Sequence, residues 1–420
     1  MKEIEQRVVD AIDMQGILAY LRRLIAIRSF DGRETAAQQS IATEMEAAGL
    51  KVDVWDLDFN KLRQHPAFSM EVERKHGLGV VGVIGEGVGG RSLIFNGHID
   101  VVPPGDENNW HYPPWEGMST EGRVYGRGAA DMKGGLCCAL FAARALHTAG
   151  VHLKGNLMVE SVIGEEDGGV GTLATILRGY KADGAIVVEP TELHVAPAQA
   201  GALNFRVTVN GQAAHGCMRG EGVSAIEKFI PIHAALMHLE DERNHQVHDP
   251  LYAHYRLPYP LSIGKLSAGN WPSSVPEKVV FEGRYGVFVK EDLSRARHLF
   301  EEAIYQAAQG DPWLRGHPPI VEWWGGQFES ARISVDHPIV RTLTNAFSEI
   351  TGTKARLEGV TYGSDMRLLV NEGKTPAVLF GPGDVRNCHR PDEYVAVEEL
   401  VTGVRTLALT ALNFCGYEAG

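Results

Sequence analysis

The strongest constraint on the fold is a change of hydrophobic rhythm near residue 200 that reverts near residue 331. Before it, short apolar runs stand without alternation: Ser92-Leu93-Ile94-Phe95, Leu157 to Ile163, and Gly184-Ala185-Ile186-Val187-Val188. Such runs suit strands buried on both faces, in a mostly parallel sheet between helices. Helical stretches separate them. In 35–49, Ile41, Met45 and Ala48 recur at helical spacing and Gly49 suits the stop. Residues 132–149 form a second, Ala-rich helix closed by Gly150. Beyond residue 200, Leu203, Phe205, Val207 and Val209 alternate with Asn204, Arg206, Thr208 and Asn210. This is a half-wet strand of an antiparallel sheet. Residues 278–288 and 319–324 read as further strands, the latter at an edge, with helices over 223–240 and 292–309. The first rhythm then returns, with a helix near 337–350, a strand at 376–380 and a helix at 397–413. The expected architecture is an α/β domain in two parts, 1–199 and 331–420, interrupted by a two-layer α+β domain over 200–330.

Composition excludes several partners. The chain has 420 residues, 40 Lys+Arg against 53 Asp+Glu, and a formal charge of −13. That balance argues against a general binder of nucleic acid or anionic membrane. There is no apolar run of about 18 residues, so no membrane span is expected. The opening Met1-Lys2-Glu3-Ile4-Glu5-Gln6 is not a basic segment followed by an apolar one. Five cysteines, with Cys137 and Cys138 adjacent and no C-x-x-C pair, form neither a disulfide framework nor a thiolate metal site. They read as small buried apolar groups, and a cytoplasmic location is expected.

The chemistry-bearing residues fall at strand ends. His98-Ile99-Asp100 follows one buried run, Glu165-Glu166 a second and Glu189 a third. Asp131 opens a helix after Gly126-Arg127-Gly128-Ala129-Ala130, and His389 follows Gly381-Pro382-Gly383. In an open α/β sheet the C-terminal strand ends form the ligand crevice. Two imidazoles and several carboxylates suit Zn²⁺, with Co²⁺ or Mn²⁺ as substitutes. Charge balance favours two ions: Asp131, Glu166, Glu189 and one bridging hydroxide neutralise two divalent cations. Glu165 is then left to move protons. Asp100 is placed to accept the second imidazole N–H of His98 and so fix its tautomer. Glu165 and Glu166 must share a turn to reach one site, and Gly168-Gly169 supplies the bend.

Five segments together resemble the co-catalytic zinc amidohydrolases and peptidases, the family of acetylornithine deacetylase, succinyl-diaminopimelate desuccinylase, aminoacylase and glutamate carboxypeptidase. The segments are Asn96 to Pro103, Tyr125 to Gly135, Gly164 to Thr172, Val188-Glu189-Pro190-Thr191 and Cys388 to Tyr394, in the family's order. The resemblance implies that Asp131 bridges two zinc ions, that His98 and Glu189 complete one site, and Glu166 and His389 the other. It implies Glu165 as general base and a cis bond between Asp131 and Met132. The 200–330 domain would be a lid through which two copies pair. His215, in Gly211-Gln212-Ala213-Ala214-His215-Gly216, would donate to the oxyanion in the partner's site. Arg284 would hold a substrate carboxylate, and Gly363 and Ser364 would belong to the late pocket loop.

The implied activity is hydrolysis of a C–N amide bond in a small carboxylate-bearing molecule, first an N-acyl amino acid. Alternatives are a dipeptidase or carboxypeptidase, or a deformylase acting on an aminopyrimidine. A reading from another class is a metal-binding scaffold without turnover. Other residues read blandly. Lys133 is expected on the surface at a helix N-terminus. His111, in Trp110-His111-Tyr112-Pro113-Pro114-Trp115, is expected to pack in a rigid loop. The glycines of 85–90 lack the sequel of a phosphate cradle.

Overall fold

The computed structural model describes residues 1–85 and 87–418. The chain forms two compact units. The first comprises Met1–Ala198, Arg332–Glu358 and Ser364–Gly420, and the second Gln199–Ala331 with Gly359–Gly363.

The first unit is built on a mixed sheet flanked by helices. Its four central strands, Leu157–Val162, Leu93–His98, Gly184–Val187 and Ala377–Leu379, are parallel neighbours in that order. The runs without alternation are the parallel ones. Leu157–Val162, Leu93–His98 and Gly184–Val187 are buried at every position. Antiparallel strands stand on both sides of this core. Leu78–Ile84 pairs with Leu157–Val162 and with Lys51–Asp56, and Val195–Gln199 pairs with Ala377–Leu379. Lys51–Asp56 is half exposed along its length, as an outer strand is. The helices Gly134–Thr148 and Val397–Cys415 pack together and are apolar on nearly every side, with Leu136, Phe141, Leu407 and Leu412 fully or almost fully buried.

Parallel strands with a common direction end at one edge of the sheet. His98 is the last residue of its strand, Glu165-Glu166 follow Leu157–Val162, and Glu189 follows Gly184–Val187. Two glycines allow the close approaches this edge needs. A Cβ at Gly135 would lie 2.0 Å from the Val188 carbonyl oxygen, so only glycine lets the helix after Asp131 dock beside the strand leading to Glu189. At Gly168, φ is +143° and a Cβ would lie 2.2 Å from the Ser69 carbonyl oxygen.

The second unit is a two-layer α+β structure. Its antiparallel sheet runs Leu261–Ala268, Lys278–Val287, Gly201–Asn210, Ile320–Phe328. Ile320–Phe328 is an edge strand, as its pattern suggests. Leu203, Phe205, Val207, Val209, Val279 and Phe281 meet Ile232 and Leu236 of the helix Ala225–His245, and Phe300 and Ile304 of the helix Leu293–Gln309. The ring centroids of Phe205 and Phe300 are 4.6 Å apart.

Candidate metal centre

Five elements of the first unit deliver carboxylates and imidazoles to one point. His98 Nε2 lies 3.1 Å from Asp131 Oδ1, 3.9 Å from Glu165 Oε2 and 4.0 Å from Glu189 Oε1. His389 Nε2 lies 3.3 Å from Asp131 Oδ2 and 3.0 Å from Glu166 Oε2. Asp131 thus turns one oxygen to each imidazole. Ligand atoms of His98, Asp131 and Glu166 lie within 4.8 Å of one another, and so do those of His98, Glu165 and Glu189. The peptide bond between Asp131 and Met132 is cis. His389 has φ of +59°, and its ring is half exposed while His98 is buried.

The electrostatics follow from crowding. Burial opposes charge on Asp131, yet the hydrogen bonds from His389 and His98 hold it below the usual carboxylate range. Burial also opposes charge on His98, but Asp131, Asp100, Glu189 and Glu165 raise it well above the ordinary imidazole value. Glu166 and Asp131 push His389 up to about 11. Burial raises Glu165, Glu166 and Glu189. Imidazoles and carboxylates thus crowd at one point, where burial opposes the charge of Glu165, Glu166 and Glu189. This donor set fits divalent cations, which displace protons from such groups on binding.

Asp100 requires a correction. Its carboxylate does not take the His98 N–H; Oδ1 is 3.8 Å from Nδ1. The Asp100 backbone carbonyl does, at 2.9 Å, while its Oδ2 accepts the Glu166 N–H at 3.2 Å. The extended backbone brings the carbonyl under the ring and leaves the side chain to the neighbouring turn. Lys133 is also corrected: it is fully buried, and its ammonium donates to the carbonyls of Leu24 and Ile27 at 2.8 and 2.9 Å. Desolvation pulls it down to about 7. His111 does not pack; its exposed ring lies 2.7 Å from Asp392 Oδ2. Cys137, Cys138 and Cys415 are buried, but Cys217 is exposed and Cys388 half-buried.

Sequence reasoning missed the layer beneath these groups. Glu393, fully buried, accepts the N–H of Ala130 and of Asp131 at 3.0 and 3.1 Å and pairs with Arg127 at 2.5 Å. Asn96 donates to Glu160 at 3.0 Å and to Thr172 at 2.9 Å, and the Thr172 hydroxyl donates to Asp365 at 2.6 Å. Burial lifts Glu160 to about 7 and Asp365 to about 6. A carboxyl in the midst of Leu157-Met158-Val159-Glu160-Ser161-Val162 was the available signal.

The profile of peptidase family M20/M25/M40 matches residues 94–413. The chain belongs to that family. It is a hydrolase, as family M20 relatives are. One relative is N-formyl-4-amino-5-aminomethyl-2-methylpyrimidine deformylase of Halalkalibacterium halodurans, 30% identical over 95% of this chain and 94% of its own. Another is acetylornithine deacetylase of Myxococcus xanthus, 28% identical over 96% of this chain and 98% of its own. Among solved structures, the M20 family metallo-carboxypeptidase Sso-CP2 of Sulfolobus solfataricus superposes with a TM-score of 0.74 at 16% identity, covering 95% of this chain and 99% of its own. The M20 fold is that described above.

The other expected site residues lie elsewhere in the chain. His215 is exposed in the second unit, where it pairs in register with Ser274 and its Nδ1 accepts the Cys217 N–H at 3.2 Å. Arg284, also in that unit, donates to the Thr361 carbonyl at 2.8 Å, and desolvation draws its guanidinium down to about 10. Gly363 packs on Phe328, where a Cβ would meet the Phe328 Cβ at 2.8 Å. Ser364 belongs to the first unit and is fully buried, its hydroxyl accepting the Met366 N–H at 3.2 Å. No helix among the described residues is long and apolar enough to cross a membrane.

Proposed function

We propose that this M20 hydrolase cleaves the C–N amide bond of a small N-acylated molecule, with Asp131 bridging two divalent cations. The observation that carries this reading is the pair of Asp131 oxygens, one facing His98 and the other His389. His98 and Glu189 complete one position, Glu166 and His389 the other. The nitrogen and oxygen donors suit zinc, with cobalt or manganese as substitutes. Bound there, the cations supply polarisation of the amide carbonyl and a water of lowered pKa. The Asp100 carbonyl holds the tautomer of His98 that presents Nε2. Glu165, buried beside His98, takes the proton of the attacking water and passes it to the leaving nitrogen. Because His215 Nδ1 accepts a hydrogen bond, its proton sits on Nε2, free to be donated to the developing oxyanion in the partner's site.

The remaining assignments rest mainly on the second unit. Arg284 has no carboxylate partner among the described residues, which supports its binding a substrate carboxylate; Gly363 and Ser364 are read as residues of the late pocket loop. Leu261–Ala268 is the outer strand, with no strand paired on its far side among the described residues, and Leu266, Ile226 and Ile230 are exposed. These features support a homodimer formed through this unit. The protein is read as cytoplasmic. An N-acyl amino acid is the first substrate class. A formyl-aminopyrimidine is the second, favoured by the relative of that activity at 30% identity.

The test is a zinc-reconstituted screen of N-acetyl, N-succinyl and N-formyl amino acids, a formyl-aminopyrimidine and dipeptides, beside Glu165→Ala. One acyl class is expected to turn over, and Glu165→Ala to keep its zinc while kcat falls roughly 10²–10⁴-fold. Normal hydrolysis by Glu165→Ala refutes the proton role. Zinc binding without turnover of any substrate leaves a metal-binding scaffold.

A further inference from the structure

The turn that carries Glu165 and Glu166 is clamped from outside by a segment without regular structure. Asp167, the next residue, is nearly buried. Its Oδ2 accepts the N–H of Val72 at 2.7 Å and of Glu71 at 3.1 Å, and its carbonyl accepts the Glu71 N–H at 3.1 Å. The same Oδ2 takes a bond from Arg74 Nη1 at 2.8 Å. Arg74 is 5% exposed. Its Nε and Nη2 donate to Glu34 Oε1 at 3.1 and 2.9 Å, and Nη1 also reaches the Val72 carbonyl at 3.1 Å. One guanidinium therefore ties together the start of the helix Thr35–Ala47, the segment 69–74 and the catalytic turn.

The fit is close on the other side too. Gly168 has no room for a Cβ against the Ser69 carbonyl, so this glycine of the turn lets the segment approach. None of these residues offers a ligand atom to the cluster. The hydrogen bonds described above that reach the turn end on Asp167, the residue that follows Glu166.

We infer that residues 69–74 act as a strap, keyed by Arg74, that sets the orientation of Glu165 and Glu166, so that Arg74 and Asp167 are positioning residues of the hydrolytic site. This rests on the dinuclear reading above and adds to it. Partners of this kind act through the ligand they hold, and their loss typically weakens metal binding about 10–100-fold. The strap's hydrogen bonds described above reach the turn bearing Glu166, through Asp167. Its loss must therefore fall unequally on the two cation positions.

The experiment titrates metal-stripped full-length protein with zinc alone by calorimetry. Wild type is expected to bind in two steps, and His389→Ala identifies the step belonging to Glu166 and His389. Arg74→Met is expected to weaken that step about 10–100-fold and to leave the other within threefold, with faster amide exchange at Glu71 and Val72. Arg74→Lys, which keeps the charge without the fork, is expected to fall between. If Arg74→Met does not fold, Asp167→Asn serves. It keeps an oxygen for the two amides, removes the charge facing Arg74, and is expected to weaken the same step by about tenfold, the low end of that range. A merely structural ion cluster would lower stability and move neither step, or both equally; either result overturns the inference. Absence of two-step binding in wild type overturns the dinuclear reading itself, a different failure.

Discussion

The two compact units bury their charges differently. The first hides Glu34, Arg74, Arg127, Lys133, Glu160, Asp167, Asp365 and Glu393 beneath or beside the carboxylates and imidazoles of the site. The second has the Arg243–Glu291 pair at 2.7 Å, and its core is otherwise aliphatic and aromatic. Burying ionised groups costs free energy unless they are paired and hydrogen-bonded. A fold accepts that cost in quantity where the groups hold something. The first unit's stability should therefore depend on cations and on protons, and the second unit's on volume. The two can be set against each other by perturbations that touch only one.

On the dinuclear reading proposed above, removing the metal is the largest such perturbation. A ligand that binds only the folded state at 1,000 times its Kd stabilises by about 4 kcal/mol. Stripping zinc with a chelator is expected to cost the first unit on that order, because the free energy of binding to the folded state is lost. Amide exchange should quicken in the strands Leu93–His98 and Gly184–Val187. The strands Gly201–Asn210 and Lys278–Val287 should keep their protection. Equal loss in both units would erase the contrast.

The same contrast explains what the sequence reveals. Strands are legible wherever burial writes a pattern. Leu93 to Phe95 of the first run and the alternation from Leu203 to Val209 lie within the strands observed. The site's inner face is legible because its groups sit at strand ends in motif order. The layer behind it is not. Lys133 donates to the carbonyls of Leu24 and Ile27, more than 100 residues away, and a backbone carbonyl leaves no mark in a sequence. Arg74 meets Glu34 and Asp167 across separations of 40 and 93 residues. Such an arginine reads like any surface charge until the chain folds around it. The sequence points to the side chain of Asp100 for a hold on His98 that its backbone carbonyl makes.

Protons give the next test. Burial raises Glu160 from an ordinary carboxyl value of 4.5 to about 7. Between those values the folded state holds a proton that the unfolded state has released. Stability from this group is thus present below pH 4.5 and is lost as pH rises towards 7. The slope, about 1.4 kcal/mol per pH unit, gives a loss of roughly 3 kcal/mol across the window. Glu160→Gln is uncharged throughout and should not show it. Denaturant unfolding of both proteins at pH 5 and pH 8 checks the sign: the variant's advantage should grow with pH. An advantage that shrinks would mean that Asn96 and Thr175 stabilise the ionised carboxylate enough to outweigh burial.

The smallest effect sharpens the comparison from the other side. Ile304 lies in the helix Leu293–Gln309, is 2% exposed, and belongs to the cluster around Phe205 and Phe300. Ile304→Val removes one methylene from a packed aliphatic site and is expected to cost about 1 kcal/mol. The cost comes from lost contacts and a small cavity, so it should be the same at pH 5 and pH 8 and the same with or without zinc. Zinc affinity should not change, because no charge has moved. A methylene whose removal shifted zinc binding would mean that packing in the second unit is felt by the ligands of the first, and the division between a unit governed by charge and one governed by volume would fail.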